Sequence, residues 1–453
     1  MSTVSRDQPP APAQIRPFAF PKIERRQLPN GLAVLAARHG RLPLVTVALV
    51  VDAGAAGDPE RKAGLAHLTA NALETGTRTR TAEQVAWEFE HLGTEFVAEA
   101  SWDAAVLRFT ISRERLEPAF ALFADVVRHP VFPEEQVDRL REEQLAELLQ
   151  RRKEPRALAN DMAAHFIFAP DVPYARPLIG TTASVSGLSR EDVEAFYRAH
   201  YLPNASGLLL VGDIDADTAL ALADRHFGDW PAGQPTVSEF EVIPGVDTTT
   251  IFIVDRPGSV QSEIRIGDVG VARQHANYFP LLVMNTILGG AFTSRLNLSL
   301  RERHGFTYGA HSGFAFRRRP GPFIVEAAVA SEVTARAVQE ALREIRLLRD
   351  EGATEEEVAA ARDYLSGILP LRLQTTDQLT ARLADLLIYG LPDDYFEHYR
   401  ERIAAVTPED VHRVAREHLR IDRLAIVVVG DAGAIAKELE ALGVGPVEVR
   451  QVN

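Results

Sequence analysis

Apolar residues along the chain fall into short continuous runs and longer periodic stretches. The run at 44–51 is apolar except for one threonine and predicts a buried strand, since it is far shorter than the roughly 18 residues that a membrane span requires. Two similar apolar runs begin at Leu208 and Ala425. Each follows a stretch with a helix-capping residue at its start, Ser189 or Thr407, so each predicts a helix followed by a strand.

The second half of the chain repeats the first. Asp192 and Asp410, in the two capped stretches, are 218 positions apart, and so are Gly212 and Gly430 after the apolar runs. A constant offset over this distance indicates duplicated domains. In each copy the pattern predicts a strand, a long helix, strands, long helices, a capped helix and a final strand. The predicted fold is α+β, with helices packed on a mostly antiparallel sheet in each domain.

Length and turn-forming residues place the domain boundaries. A chain of 453 residues is long for one core, which predicts two domains. Prolines and glycines cluster between 231 and 250, where the apolar periodicity fades. We therefore predict a flexible N-terminal segment over 1–20, a first domain over 21–230, a linker over 231–250 and a second domain over 251–453.

Composition excludes several classes of function. A net charge of −14 argues against nucleic-acid binding, which needs a basic surface. The absence of cysteine excludes disulfides and thiolate metal sites. The first twenty residues contain no apolar signal-peptide core and no run is long enough to span a membrane, so we expect a cytoplasmic protein without a membrane partner.

The stretch from Gly64 to Asn71 has the frame of an inverted zinc-peptidase helix, His-x-x-Glu-His. Such a helix needs two imidazoles four residues apart on one face and a carboxylate base beside the second. His67 occupies the first ligand position, but Ala70 stands at the base position and Asn71 at the second ligand position. Because asparagine is a weak ligand and alanine is no base, we predict that this chain holds no catalytic zinc by itself.

The surroundings of this motif resemble the pitrilysin/insulinase family of zinc peptidases, in its mitochondrial-processing-peptidase-like branch. The resemblance begins with the stretch 52–77 and continues with 96–101, 125–130 and Phe132, in the order and spacing of the family. It covers nearly the whole chain. It implies two halves that face each other across a chamber.

The resemblance also implies a third ligand position, a glutamate on a later helix. The residue that fits is Glu147, which lies 76 positions after Asn71. His67 and Glu147 are then vestigial ligand positions, while the base and the second imidazole are lost. Without the resemblance, the two residues are an ordinary helical histidine and a solvated helical glutamate.

The second half contributes another pair of candidate residues, Arg301 and Tyr308. Gly305 predicts the end of a helix near His304, and a strand is expected from about Phe306. Family members that cut peptides use an arginine and a tyrosine at this spacing, so the resemblance implies that the pair holds the peptide carbonyl and stabilises the oxyanion. The alternatives are a surface salt bridge of the arginine with a neighbour and a half-buried strand tyrosine.

Two further segments have candidate roles. Gly289 and Gly290 resemble the glycine-bearing loop of the family, which implies substrate binding; the alternative is a helix end and turn. The arginines at 317–319 precede Pro320 and predict a hairpin tip that is a solvated loop rather than a peptide-recognition patch.

These features together resemble the non-catalytic subunit of a two-chain zinc metallopeptidase. We expect no cofactor in this chain, zinc in a homologous partner with an intact His-x-x-Glu-His motif, and a peptide as substrate. Two alternatives stay open: a scaffold or core-type peptide-binding protein without a catalytic role, and an autonomous hydrolase built on His67 and Glu147.

Overall fold

The computed structural model describes residues 18–236 and 238–451. Most of the predicted N-terminal segment, residues 1–17, lies outside the described residues. The strands of the first half are β1 (Ile23–Gln27), β2 (Ala33–Arg38), β3 (Leu44–Val51), β4 (Val97–Ala100), β5 (Ala105–Ser112) and β6 (Ser206–Gly212). Its helices are α1 (Leu65–Ala72), α2 (Ala82–Leu92), α3 (Leu116–Arg128), α4 (Glu134–Lys153), α5 (Pro155–Ile167), α6 (Thr182–Val185), α7 (Arg190–His200) and α8 (Ala216–Phe227).

The second half follows the same order of elements, except that its additional edge strand comes last, whereas that of the first half comes first. Its strands are β7 (Thr250–Asp255), β8 (Gln261–Val269), β9 (Ala310–Phe314), β10 (Pro322–Ala330), β11 (Ala425–Gly430) and β12 (Val447–Gln451). Its helices are α9 (Tyr278–Asn285), α10 (Arg295–Asn297), α11 (Thr334–Glu351), α12 (Glu355–Ile368), α13 (Thr376–Ile388), α14 (Tyr399–Ala404), α15 (Pro408–His418) and α16 (Ala432–Glu440). Ser189 and Thr407 cap α7 and α15, as predicted.

The two sheets share the same order over five strands. Within the described residues the first sheet runs β1-β2-β6-β3-β5-β4 and the second runs β12-β7-β11-β8-β10-β9. Neighbouring strands are antiparallel, apart from the parallel pairs β2–β6, β7–β11 and β7–β12. The predicted architecture of duplicated, mostly antiparallel sheets with helices is confirmed. The equivalent strands β4 and β9 each form one edge of their sheet.

The central strands are covered on both faces. Every residue of β3 after Leu44 is buried, which confirms the strand predicted at 44–51, and β6 is buried from Gly207 onwards. In contrast, β5 alternates between buried and partly exposed residues. A strand buried on both sides needs a packing layer above and below the sheet.

One helix of each half supplies such a layer to the other half. Helix α5 packs on β8 and β11, and α13 packs on β3 and β6. Polar contacts accompany this packing: Arg265 Nε donates to Asn160 Oδ1 at 2.7 Å, and the hydroxyl oxygens of Thr46 and Thr376 are also 2.7 Å apart. Pro155 and Thr376, which begin the two helices, are 221 positions apart, so the exchange follows the internal repeat. The exchange ties the two halves together.

The chain between the halves is irregular. The described residues between Phe227 and Thr250 form no helix or strand. The domain boundaries at 230 and 250 stay a prediction. Helices α5 and α13 each belong to one half of the chain but pack on the sheet of the other half. No helix in the described part of the chain has the length and apolar composition needed to cross a membrane.

Candidate functional site

A carboxylate from the preceding loop caps the first turn of α1. Asp58 is buried, and its two oxygens accept hydrogen bonds from the backbone N–H groups of Gly64 and Ala66, both at 2.8 Å. Donors in the first turn have no partner within the helix, so they need an external acceptor. Burial raises the pKa of Asp58 to about 7, while these N–H groups and Arg176 act in the opposite direction.

Close packing also fixes the start of α1. Gly180 has a φ of +77°, and a Cβ atom at this position would lie 2.1 Å from the carbonyl oxygen of Ala63. From the other side, Gln144 of α4 donates from Nε2 to the carbonyl oxygens of Gly64 and Ile179, at 3.2 and 2.9 Å. The helix that carries the degenerate motif is therefore held firmly in place.

His67 bonds to the residue that replaces the second ligand. Its Nε2 lies 3.0 Å from Asn71 Nδ2, and because an amide nitrogen has no free lone pair, the amide donates and the imidazole accepts. Burial lowers the pKa of His67, and the charge of Glu147 partly opposes this effect. His67 is thus neutral at neutral pH, but its partner on the helix is a donor rather than a ligand. The side chain of Ala70 is buried.

Glu147 lies on α4, as predicted, and is exposed. Its charge acts on His67 and on Arg151 one turn further along α4. A catalytic zinc needs three side-chain ligands and a carboxylate base. Among the described residues, no group of three His, Cys, Asp or Glu side chains is placed to hold a metal ion. The donors around His67 therefore do not fit a catalytic zinc.

Arg301 lies in a π-helical turn, Leu298–Arg303, that is followed by a left-handed glycine. Gly305 has a φ of +66°, and its N–H donates to the carbonyl oxygen of Arg301 at 3.0 Å. The predicted helix end is confirmed. The prediction that the next strand begins at about Phe306 is wrong, because β9 begins only at Ala310.

The Arg301 guanidinium has two neighbours at the surface. It lies over the ring of Phe292, 4.7 Å from the centroid, and 3.6 Å from the carboxylate of Glu302. Phe292 is itself 64% exposed. The guanidinium is thus oriented by a cation–π contact and a weak ion pair while it stays accessible to solvent.

Tyr308 lies on the turn between this segment and β9. The hydroxyl of Thr307 donates to the carbonyl oxygen of Gly309 at 2.9 Å and accepts from its N–H at 3.2 Å, which turns the chain before the strand. The Tyr308 side chain is 97% exposed. The alternative of a half-buried strand tyrosine is therefore wrong.

A groove between the two halves begins beside Tyr308. Tyr308 and Arg156, from α5, line a part of about 380 Å³. At His311 and Glu326 this part meets a second one of about 500 Å³. Arg301 is not among the residues that line either part, so the structure brings only one member of the predicted pair to this groove.

Gly289 and Gly290 end a second π-helical turn, Thr286–Gly290, and have different surroundings. Gly289 is buried, and a Cβ atom there would lie 2.4 Å from the backbone nitrogen of Ser312 in β9. Gly290 is exposed. The close approach to β9 explains the glycine at 289, and the substrate-binding role of both residues stays a prediction.

The arginines between β9 and β10 contact the first half. Arg317 is only 8% exposed, and its guanidinium lies 3.7 Å from the ring centroid of Trp102 and 4.5 Å from that of Tyr174. Arg318 donates from Nη1 to Asp52 Oδ1 at 2.7 Å. The prediction of a solvated loop is wrong, because the aromatic rings that bury Arg317 come from distant parts of the sequence.

The sequence does not identify Asp58, Phe292 or Arg317 as residues of these sites. Asp58 has a weak signal, an acidic residue shortly before a glycine that starts an apolar helix. The contacts of Phe292 and Arg317 depend on tertiary structure, and no local pattern indicates them.

Comparisons with known proteins agree with this architecture. Residues 34–182 match the family described as Insulinase (Peptidase family M16), and residues 187–365 match the Peptidase M16 inactive domain. The chain belongs to peptidase family M16. Helix α1 lies within the first match, and the segment with Arg301 and Tyr308 lies within the second.

Relatives of this M16 chain align over most of its length. An uncharacterized zinc protease of Mycobacterium tuberculosis is 28% identical over 420 residues, 92% of this chain and 95% of the relative. One of Streptomyces coelicolor is 25% identical over 407 residues, 88% of this chain and 87% of the relative. The structure of a peptidase M16 inactive domain from Pseudomonas fluorescens superposes with a TM-score of 0.86 at 27% identity, covering 91% of this chain and 99% of that one. A protease from Helicobacter pylori, with a TM-score of 0.84, 18% identity and coverage of 90% and 99%, shares the fold.

Proposed function

We propose that this M16 chain is the zinc-less subunit of a two-chain metallopeptidase, and that Arg301 and Tyr308 act at a zinc site held by its partner. The 97% exposure of Tyr308 beside the groove between the halves carries this proposal. An aromatic ring left in water gains nothing for the fold of its own chain, whereas an amphipathic phenol is well suited to an interface. Its hydroxyl has no partner among the described residues.

The chemistry assigned to the pair is electrostatic. A guanidinium and a phenol hold the carbonyl of the scissile bond and donate hydrogen bonds to the oxyanion that develops during attack by water. Neither group activates the water, and Ala70 leaves α1 without a base. The two tasks are therefore divided between two chains.

The partner that fits is a homologue of similar size with an intact His-x-x-Glu-His helix, and it holds the zinc. The substrate is a peptide, and a net charge of −14 favours basic ones. The relatives named as zinc proteases support a place in a zinc-peptidase system. We expect the pair in the cytoplasm, without nucleic acid or membrane as a partner.

Reconstitution of the two chains tests the proposal. We expect Tyr308→Phe to leave assembly, measured by size-exclusion chromatography, and the partner's zinc content unchanged. Turnover of a peptide should fall by about 10² or more, because a donor aimed at the oxyanion acts mainly in the transition state. Turnover close to that of the wild type would overturn the proposal.

One observation favours a second function, a peptide-binding scaffold without a catalytic role. Arg301 lies over Phe292 and 3.6 Å from Glu302, so its guanidinium already has surface partners. A scaffold would bind peptide with or without the phenol hydroxyl. Full peptide binding combined with cleavage that is insensitive to Tyr308→Phe would support this second function.

A further inference from the structure

Three residues that line the larger part of the groove between the halves each have a buried N–H donor without an acceptor. The donors are Arg317 Nη1, Trp102 Nε1 and Arg151 Nε, none of which has a hydrogen-bond partner among the described residues. All three residues line the same space of about 500 Å³. Two come from the first half and one from the second, so the three residues line one space only because the halves pack together.

Unpaired buried donors are rare because each has lost its hydrogen bonds to water without a replacement, and the loss is greater when the group is charged. The Arg317 guanidinium lies over the rings of Trp102 and Tyr174, which offer no acceptor to Nη1. Burial lowers the pKa of Arg317 to about 10, so the group is still charged at neutral pH. A charged guanidinium that is held against aromatic rings is preorganised for a planar anion.

Three carboxylates lie nearby, and none of them accepts from the three N–H groups; one of them, Glu326, lines the same space and is 3.9 Å from Arg265 Nε. Asp103 accepts from the hydroxyl of Tyr174 at 2.5 Å and from the backbone N–H of Arg318 at 2.9 Å. Asp161 accepts from Arg151 Nη2 at 2.7 Å. Asp103 is thus engaged by other donors, and Asp161 pairs with a different nitrogen of Arg151, so the three N–H groups stay unpaired.

We propose that this part of the groove binds a peptide carboxylate, with Arg317 as its anchor and Trp102 and Arg151 as further donors. A carboxylate has two oxygens with about four acceptor positions, which matches a guanidinium edge and neighbouring N–H groups. Phe314 and Ile324 add an apolar wall, so the carboxylate is expected beside an apolar side chain. Both a C-terminal carboxylate and a Glu or Asp side chain have this chemistry.

The inference names a substrate class for the proposed peptidase subunit, but it concerns binding by this chain alone. Arg317 and Tyr308 line different parts of the groove, which meet at His311 and Glu326. A peptide held by its carboxylate at Arg317 therefore extends toward Tyr308. Binding to the isolated chain tests the carboxylate site without any partner or zinc, so its failure is distinct from a failure of the proposed function.

Calorimetry with the full isolated chain and four acetylated peptides separates the two sources of carboxylate. Gly-Gly-Phe is compared with its C-terminal amide, and Gly-Glu-Phe amide is compared with Gly-Gln-Phe amide. We expect the acid of one pair to bind at least about tenfold more tightly than its neutral counterpart, because hydrogen bonds between charged groups are stronger than those between neutral groups. The pair that differs identifies the source. Equal affinities in both pairs would overturn the site.

Variants assign the effect to the anchor. Arg317→Gln should make the acid and its neutral counterpart bind with nearly equal affinity. The matched change Arg319→Gln, at an exposed arginine two residues further along the chain, should leave the difference in affinity unchanged. Circular dichroism checks the fold of each variant. If Arg317→Gln fails to fold, Arg151→Gln replaces it and should lower the same difference in affinity. A difference that is unchanged in the folded variant contradicts the assignment.

Discussion

The degenerate zinc helix α1 and the segment from Leu298 to Ala310 show opposite states of their polar groups. In α1, His67 accepts a hydrogen bond from Asn71, and the first turn is capped by Asp58. In the second-half segment, Tyr308 is 97% exposed and has no hydrogen-bond partner within the described residues. The imidazole and the first-turn N–H groups of α1 are paired within the chain, although the buried hydroxyl of Thr69 has no partner among the described residues, whereas the second region leaves an exposed side chain free.

This difference indicates that α1 now has a structural role, whereas the segment from Leu298 to Ala310 is a candidate functional surface. A helix packed as closely as α1 is needed for the fold whether or not it binds metal. An exposed aromatic ring contributes little to the stability of the fold, so its presence is better explained by contact with a partner chain or a substrate. On this interpretation, changes in α1 affect stability, whereas changes at Arg301 and Tyr308 affect catalysis by the reconstituted pair.

The largest expected effect is on catalysis. Arg301→Ala should lower kcat/KM of the reconstituted pair by about 10² to 10³, and KM should rise as well, because a charged donor also engages the ground-state carbonyl. Steady-state kinetics with one peptide measures both constants. Arg303→Ala, at an exposed arginine in the same turn, is the matched control and should change little. An equal loss in both variants would indicate a general charge effect and break the comparison.

The fold was predictable to the extent that its pattern is local or repeated. The apolar run at 44–51 and the capping residues Ser189 and Thr407 indicate their elements directly. The repeat predicts that the second half copies the first. The exchange of α5 and α13 was not predictable, because a helix shows which face is apolar but not which sheet will cover it.

The second prediction compares two left-handed glycines. Gly180→Ala would place a Cβ atom 2.1 Å from a carbonyl oxygen, whereas Gly305→Ala would meet nothing within 4 Å. Both changes strain the backbone by roughly 1–2 kcal/mol, and only the first adds a clash of about 1–3 kcal/mol. We expect Gly180→Ala to lower the free energy of unfolding by about 3 kcal/mol and Gly305→Ala by about 1 kcal/mol. Urea denaturation measures both, and equal losses would show that α1 is no more tightly packed than the second segment.

The candidate site was predictable only in part. The sequence motif predicts that His67, Ala70 and Asn71 lie on one helix, and all three lie on α1. Glu147 lies near enough for its charge to act on His67. The burial of Arg317 was missed because Trp102 and Tyr174 are far away in sequence. Three adjacent arginines look solvated until the rings that cover one of them are known.

The third prediction tests whether α1 is a remnant of a metal site. The wild-type chain alone should hold no stoichiometric zinc. The double replacement Ala70→Glu and Asn71→His adds a base and an imidazole beside His67 and Glu147, so we expect weak binding of one zinc per chain. Zinc at a hundred times its Kd should then stabilise the variant by about 2.7 kcal/mol. Metal analysis and thermal unfolding measure the two effects, and a double variant without zinc would show that Glu147 is not the third ligand.

The smallest expected effect is the pH dependence that arises from His67. Burial lowers the pKa of this imidazole below its ordinary value of 6.5, so below pH 6.5 the unfolded chain takes up a proton before the folded chain does. The contribution of His67 to stability is therefore complete above pH 6.5 and is lost as the pH falls through the folded-state pKa. As the pH is lowered from 8 to 5, the free energy of unfolding of the wild type should therefore fall more than that of His67→Gln. Urea denaturation at each pH measures both values. An NMR titration of the His67 ring at or above pH 6.5 would show instead that Glu147 outweighs burial, and that α1 keeps more of the electrostatics of a metal site than its packing suggests.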